Sequence, residues 1–233
     1  MPTVFFQEPE ETELEAAQRK VAELEAELGP EHLDLAAALR SVMMIHYRHA
    51  QYGKAEKACR RILAITEKSH DPEHPAVADS LNNLAILLQK QGAYAEARPL
   101  YERSLAIREK ALGPEHPYVG DSLNNLALLL QAQGSYAEAR PLYERSLAIW
   151  EKALGPEHPR VALSLNNLAL LHENQGSYAE ARPLYERSLA IREKAFGPDH
   201  PEVAGSLNNL AELLRDRGSY GEARPLLERS LAI

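Results

Sequence analysis

The sequence predicts an all-α fold: a solenoid of stacked antiparallel helical hairpins, with about eleven helices. Three observations lead there. A 42-residue segment repeats along the chain, apolar residues inside each copy follow a helical period, and turn signals recur at the same places in every copy. Gly-Pro-Glu-His or a near variant starts at Gly29, Asp71, Gly113, Gly155 and Gly197. Residues 71–112 match 113–154 at 35 of 42 positions, and 113–154 match 155–196 at 34. Self-similarity of this kind marks units that cannot bury their apolar faces alone and do so by stacking on a neighbour.

The elements follow in order. Residues 1–10 are expected to be a flexible terminus. Over 11–28, Leu14, Ala17, Val21, Leu24 and Leu28 are spaced by threes and fours, which predicts a helix. Two heptads are too few for a stable coiled coil. Gly29-Pro-Glu-His32 follows this helix as it follows every later second helix, so 11–28 is read as a cap on the array. Repeat 1, residues 29–70, is a degenerate copy. Repeats 2, 3 and 4 are 71–112, 113–154 and 155–196, and repeat 5, 197–233, stops five residues early.

Repeat 3 shows the logic of one unit. Val119, Leu123, Leu126, Ala127 and Leu130 make one face of a first helix, A. Gln133-Gly134 interrupts it. Ser135-Tyr-Ala-Glu138 reads as a capping box opening a second helix, B, with the serine hydroxyl on the Glu138 N–H and the carboxylate on the Ser135 N–H. Tyr136, Ala139, Tyr143, Leu147 and Leu154 form the inner face of B. Gly155 suits a left-handed C′ position, and Pro117 suits the first turn of a helix A. Pro99, Pro141, Pro183 and Pro225 lie about six residues into their B helices, where a proline removes a ladder bond and costs about 3 kcal/mol. A bend near the start of each B helix is therefore expected.

Helix A holding Leu123-Asn-Asn-Leu-Ala127, and helix B beginning Gly134-Ser-Tyr-Ala-Glu-Ala139, together resemble the tetratricopeptide repeat. The 42-residue period narrows the resemblance. Gly155-Pro-Glu-His-Pro159, Leu165-Asn-Asn-Leu-Ala169 and Glu186-Arg-Ser-Leu-Ala-Ile-Arg-Glu-Lys194 are similar to the kinesin light chain and nephrocystin-like type. It covers residues 29–233. The resemblance implies a right-handed superhelix whose A helices line a concave groove for peptide segments of partner proteins. A kinesin light chain itself carries long heptads ahead of its repeats, and residues 1–28 do not match that.

Composition sets the outer limits. With 45% hydrophobic and 26% charged residues, the chain is of globular rather than disordered type. Its net charge of −8 argues against nucleic acid as a partner. The charge is uneven: residues 1–28 hold eight acids and two bases, so the repeats are nearly neutral. A lone cysteine, Cys59, cannot form an internal disulfide, and no leader or long apolar run appears, so a cytoplasmic protein without membrane contact is expected.

The repeats can be compared with one another. Variation concentrates in helix A, at Ala76/Tyr118/Arg160/Glu202, Asp79/Asp121/Leu163/Gly205, Ile86/Leu128/Leu170/Glu212, Gln89/Gln131/Glu173/Arg215 and Lys90/Ala132/Asn174/Asp216. These positions fall opposite Val119, Leu123 and Leu130, on the expected groove side. Helix B is constant at Arg98/Arg140/Arg182/Arg224, Glu102/Glu144/Glu186/Glu228 and Arg103/Arg145/Arg187/Arg229. The contrast favours a binding groove, with stacking constraints on helix B as the rival explanation. Asn82-Asn83, Asn124-Asn125, Asn166-Asn167 and Asn208-Asn209 lie mid-helix, where each asparagine costs about 0.6 kcal/mol relative to alanine. Asn82, Asn124, Asn166 and Asn208 are assigned to peptide contact, a role the resemblance also implies. The second members are assigned to structure. The alternative is a ladder joining neighbouring A helices. Repeat 1 has Arg40-Ser41 there, so the ladder should end at it. Ile86, Leu128 and Leu170 form an apolar row, with Tyr118 at the margin. Asp121, Gln131, Arg160 and Glu173 complete the expected peptide-binding set, whose charge is mixed.

Other features read as structural. The recurring His74, His116, His158 and His200 are too far apart to share an ion, and His46 and His49 lack a matching ligand pattern, so no metal is expected. His172 replaces a core leucine and is expected to be buried. Trp150 replaces an arginine late in helix B and is expected at the surface. Cys59 has no base beside it, and no phosphate loop, zinc spacing or nucleophile elbow occurs. A non-enzymatic scaffold without cofactors, binding a protein or peptide partner, is the leading expectation. The alternatives are a spacer that self-associates end to end through an uncapped last helix, and a regulatory arm of a larger protein.

Overall fold

A computed structural model describes residues 12–233; the terminus expected to be flexible, 1–10, lies outside them. The described residues form eleven helices and no strand: α1 (Glu13–Leu28), α2 (Leu33–Arg48), α3 (Tyr52–Ser69), α4 (Pro75–Lys90), α5 (Tyr94–Leu112), α6 (Pro117–Ala132), α7 (Tyr136–Leu154), α8 (Pro159–Asn174), α9 (Tyr178–Phe196), α10 (Pro201–Asp216) and α11 (Tyr220–Ala232). The chain divides into two compact bodies, one ending at Ile107 and one beginning at Arg108. Each is a run of sequential antiparallel hairpins. In the first, α2 packs on α3 with α1 in front; in the second, α6 pairs with α7, α8 with α9, and α10 with α11.

The expected core face of helix A is buried throughout: Val119, Leu123, Leu126, Ala127 and Leu130 are all interior, and Leu129 is as well. In the second body, α8 and α10 are enclosed on two sides, each by its own helix B and by the helix B before it. On helix B, Ala139 and Tyr143 are fully buried, joined by Ser146 and Ile149.

The A-to-B turn differs from the expected capping box. Gly134 takes φ +76°, its N–H donates to the Gln131 carbonyl (3.0 Å), and the Ser135 N–H donates to the Leu130 carbonyl (2.9 Å). This is a Schellman closure of helix A. It uses the very N–H that a Glu138 carboxylate would have needed. Ser135 is still the N-cap of α7, but with φ −80° and ψ 56° it makes no side-chain cap bond; its carbonyl receives the N–H groups of Glu138 and Ala139 instead. Ser177 and Ser219 likewise make no side-chain cap bond. Ser135→Ala is accordingly expected to change unfolding free energy by less than about 0.5 kcal/mol, against the roughly 0.5–2 kcal/mol of a working N-cap. Urea unfolding of the two proteins checks this. In repeat 1 the residue corresponding to Gly134 is Ala50, which holds φ +54° without glycine's freedom.

The B-to-A turn also departs from expectation. Gly155 has positive φ (+90°), but its ψ of 155° is extended rather than left-handed helical. The next helix A then opens on a histidine. His32, His74, His116, His158 and His200 are N-caps, each accepting at Nδ1 the N–H two residues on (3.1–3.2 Å), and Pro75, Pro117, Pro159 and Pro201 occupy the first turn as expected. The B helices run continuously through Pro99, Pro141, Pro183 and Pro225.

Candidate functional site

The asparagine pairs are joined to each other. Asn167 Nδ2 donates to Asn124 Oδ1 (2.9 Å), and Asn209 Nδ2 donates to Asn166 Oδ1 (2.8 Å). The second asparagine of one repeat thus bonds the first asparagine of the repeat before it, tying α8 to α6 and α10 to α8. Asn82 and Asn124 are buried, at 8% and 4% exposure, and Asn208 is exposed. The side-chain carbonyls of Asn124 and Asn166 each accept one bond that serves the fold.

A second set of expected groove residues is coupled to helix B. The α5 guanidinium of Arg108 donates to the Tyr118 carbonyl (3.1 Å) and Ser122 Oγ (2.8 Å), and lies 5.8 Å from the Tyr118 ring centre. One repeat later the pair is inverted: Arg160 lies 5.9 Å from the Trp150 ring centre. In the next, Arg192 donates to Ser206 Oγ (2.6 Å) and stands 3.8 Å from the Glu202 carboxylate. Tyr118, Arg160 and Glu202 therefore vary together with the helix B residue they face. Arg160 also binds Asp121 (2.5 Å), so two groove charges neutralise one another.

Trp150 is not at the surface. It is 1% exposed, the largest fully buried side chain of the described residues, and its Nε1–H donates to the Pro117 carbonyl (3.1 Å). Its ring lies against Gly120, where a Cβ would come within 2.6 Å of Nε1. The other repeats place alanine at that position (Ala36, Ala78, Ala162, Ala204), so the tryptophan and the glycine are a matched substitution. The signal was in the sequence: the lone tryptophan and the lone glycine at that site share one repeat.

Gln131 and Glu173 face helix B rather than an open groove. Tyr143 Oη donates to Gln131 Oε1 (2.8 Å), Tyr185 Oη donates to Glu173 Oε2 (2.7 Å), and Tyr101 Oη donates to Gln89 Oε1 (2.8 Å). Burial raises the Glu173 carboxyl above its ordinary range, and it raises the three phenols too, leaving them neutral donors. The constancy of helix B also has a structural cause. Arg103, Arg145, Arg187 and Arg229 each pair with a glutamate of the preceding B helix: Glu67, Glu109, Glu151 and Glu193 (2.5–2.6 Å). Arg98, Arg140, Arg182 and Arg224 pair within their own helices. The fixed Arg103, Arg145, Arg187 and Arg229 thus report stacking, and the contrast with helix A no longer measures function by itself.

Several apolar side chains remain open on the A helices. Tyr118 (52% exposed), Leu163 and Leu170 (both 39%) face solvent in the second body, with Leu128 partly exposed. In the first body a cleft of about 170 Å³ opens between α2 and α4, lined by Met43, Met44, Tyr47, Asn83, Ile86 and Leu87. Its cause is the degenerate first repeat. The equivalents of Asn83, namely Asn167 and Asn209, donate to the asparagine of the repeat before. For Asn83 the residue at that place is Arg40, a donor that cannot accept. The ladder stops there and Asn83 lines the cleft. Met44 extends the row Ile86, Leu128, Leu170 by one repeat and is 47% exposed. Of these six residues, Ile86 was an expected groove residue and Asn83 an expected structural one. Met44 and Tyr47 were missed, although an offset of 42 residues from Ile86 and Gln89 points to both. A second cleft shares Met44 and carries Arg40, Ser41 and Arg48.

Reactive chemistry has little to build on. Cys59 is 1% exposed and burial pushes its thiol up to about 12, so it is not a thiolate. His172 is buried as expected, and burial lowers its readiness to protonate. His46 Nδ1 lies 2.9 Å from Gln51 Oε1. Among the described residues no three His, Cys, Asp or Glu side chains are grouped to hold a metal, and no helix is long and apolar enough to cross a membrane.

Comparison with known proteins gives a consistent result. Family models described as tetratricopeptide repeat match residues 77–118, 118–194 and 160–233. Among solved structures, a candidate kinesin light chain from Podosopora anserina with nearly identical TPR-like repeats is 33% identical, with 87% of this chain and 96% of that one aligned at a TM-score of 0.72. A point variant of the same protein is 32% identical over 86% of this chain and 96% of that one, again at 0.72. BtubC (BKLC) from P. vanneervenii, 23% identical over 94% of this chain and 89% of that one, has a TM-score of 0.78 and shares the fold. Curated proteins give no match.

Proposed function

Since the chain belongs to the tetratricopeptide repeat family, a type that generally mediates protein–protein interaction, we propose that it is a non-catalytic adaptor that holds a segment of a partner protein against its A helices. The observation that carries this is the cleft between α2 and α4. Five of its six lining residues are Met43, Met44, Tyr47, Ile86 and Leu87, and the sixth, Asn83, has donor and acceptor to offer a backbone. A small apolar pocket with one amide at its wall suits a single aliphatic or aromatic side chain and the peptide group beside it. Methionines add adaptability, because their unbranched thioethers repack around different shapes.

Met44→Glu places a carboxylate at the mouth of this cleft without disturbing the core. For peptides selected by unbiased display on the full chain, it is expected to weaken binding at least about tenfold, since a desolvated charge costs more than about 1.4 kcal/mol. Titration calorimetry on both proteins, with circular dichroism confirming equal helicity, measures it. Equal affinity for the selected peptides would remove the cleft from the account.

A further inference from the structure

Repeat 1 and the helix in front of it are hollow at a place where the later repeats are filled. In repeat 5, Leu189, Leu210, Leu214 and Leu226, drawn from α9, α10 and α11, belong to one core cluster. In repeat 2, Leu63 and Leu100 pack against the cluster of Leu81 in the same manner. At the positions matching the four leucines of repeat 5, the start of the array holds Val21, Val42, His46 and Ala58. Three of these are smaller than leucine and the fourth is polar. The apolar wall recedes accordingly, and a cleft of about 340 Å³ opens between α1, α2 and α3 with all four residues on its surface. That volume falls within the range of small-molecule sites.

The mouth of the cleft has changed along with its floor. Where the later repeats carry Glu96, Glu138, Glu180 and Glu222, repeat 1 has Lys54; where they carry Pro99, Pro141, Pro183 and Pro225, it has Lys57. The two lysines are three residues apart on α3, so they are neighbours on its surface, and both line the cleft. Arg61, one turn further on, is paired with Glu25 of α1 (2.9 Å). Glu56, the acid beside Lys57, is taken up by Arg60 (2.7 Å) and Gln91 (2.8 Å). Among the described residues neither Lys54 nor Lys57 makes an ion pair, and both are exposed. Lysines that only faced water would not require the wall behind them to recede. An apolar recess alone would not require an acid to be exchanged for two bases.

We propose that this cleft is a second binding site, made for an amphipathic organic carboxylate. Its aliphatic part takes the space that leucines fill in the later repeats, and its carboxylate lies between Lys54 and Lys57. Burial of the aliphatic part supplies affinity, and the compact ammonium groups fix which end faces outward. The site shares no residue with the cleft between α2 and α4, so it stands or falls separately from the adaptor reading.

Octanoate is the probe, titrated into the full chain by calorimetry, with the valine and methionine methyl groups followed by NMR. Saturable binding with a Kd below about 1 mM is expected, shifting the methyl signals of Val21 and Val42. Octanamide, which has the same chain without the charge, is expected to bind at least about tenfold more weakly. K54E/K57Q brings back the acid of the later repeats and is expected to weaken octanoate binding at least about tenfold at unchanged helicity. A58L brings back their leucine, closes the recess, and is expected to weaken binding by a similar factor without lowering the melting temperature. Absence of saturable binding would overturn the proposal. So would octanoate affinity that either variant leaves unchanged, octanamide binding as tight as that of octanoate, or binding that shifts Met44 and leaves Val21 and Val42 unmoved.

Discussion

Gly120→Ala is expected to destabilise the chain by about 1–3 kcal/mol, although alanine is the residue at this position in every other repeat. Two effects compete. In a helix interior, glycine to alanine gains about 1 kcal/mol from backbone entropy. Against it stands a contact of 2.6 Å between the new Cβ and Trp150 Nε1, on a ring that is almost wholly buried and bonded to the Pro117 carbonyl. Overpacking of this kind costs about 1–3 kcal/mol, and displacing the ring forfeits a hydrogen bond of about 1 kcal/mol. The clash wins. In a Trp150→Leu background the obstruction is gone, so the same Gly120→Ala change is expected to stabilise. A double-mutant cycle by urea unfolding reads this directly, and a Gly120→Ala effect of the same sign in both backgrounds would refute the matched-pair reading.

Asn124→Ala is expected to lose about 1–2 kcal/mol. Alanine gains about 0.6 kcal/mol of helix propensity, but the change leaves the Asn167 carboxamide without its acceptor at a buried site, a loss of about 1–3 kcal/mol. Asn124→Ala and Asn167→Ala should therefore be far from additive, the double variant costing less than the two singles together. Additive losses in chemical unfolding would mean the bond contributes nothing. The result bears on function as well: a fall in peptide affinity on removing Asn124 counts as a ligand contact only if it exceeds the fall produced by Asn167→Ala, which breaks the same ladder from the other side.

The hairpins, their boundaries and most of the core were legible because each rests on local rules repeated several times. Spacing placed Val119, Leu123 and Leu130 on one face, and proline and glycine marked the ends. The serine box failed for a reason that is also local but geometric: the Schellman turn uses the Ser135 N–H first. The candidate site was less legible. Tyr118 and Arg160 look variable when repeats are compared one position at a time; their partners, Arg108 and Trp150, lie ten residues earlier on another helix. Gln131 and Glu173 share a helix face with groove residues, yet a tyrosine of helix B reaches each of them. Ile86 was found as part of an apolar row, while Met44 escaped because repeat 1 was set aside as degenerate.

The sequence by itself determined the number of repeats, the helical hairpin in each, and the identity of the family, since all three depend on periodicity and turn chemistry within a stretch of about 40 residues. Only the tertiary structure decided which side chains were left over for a partner. That question depends on which donors and acceptors meet across neighbouring helices. A carboxamide joined to the next carboxamide, a guanidinium over a ring, or an arginine where an acceptor is needed cannot be told apart from exposed polar residues until the helices are stacked.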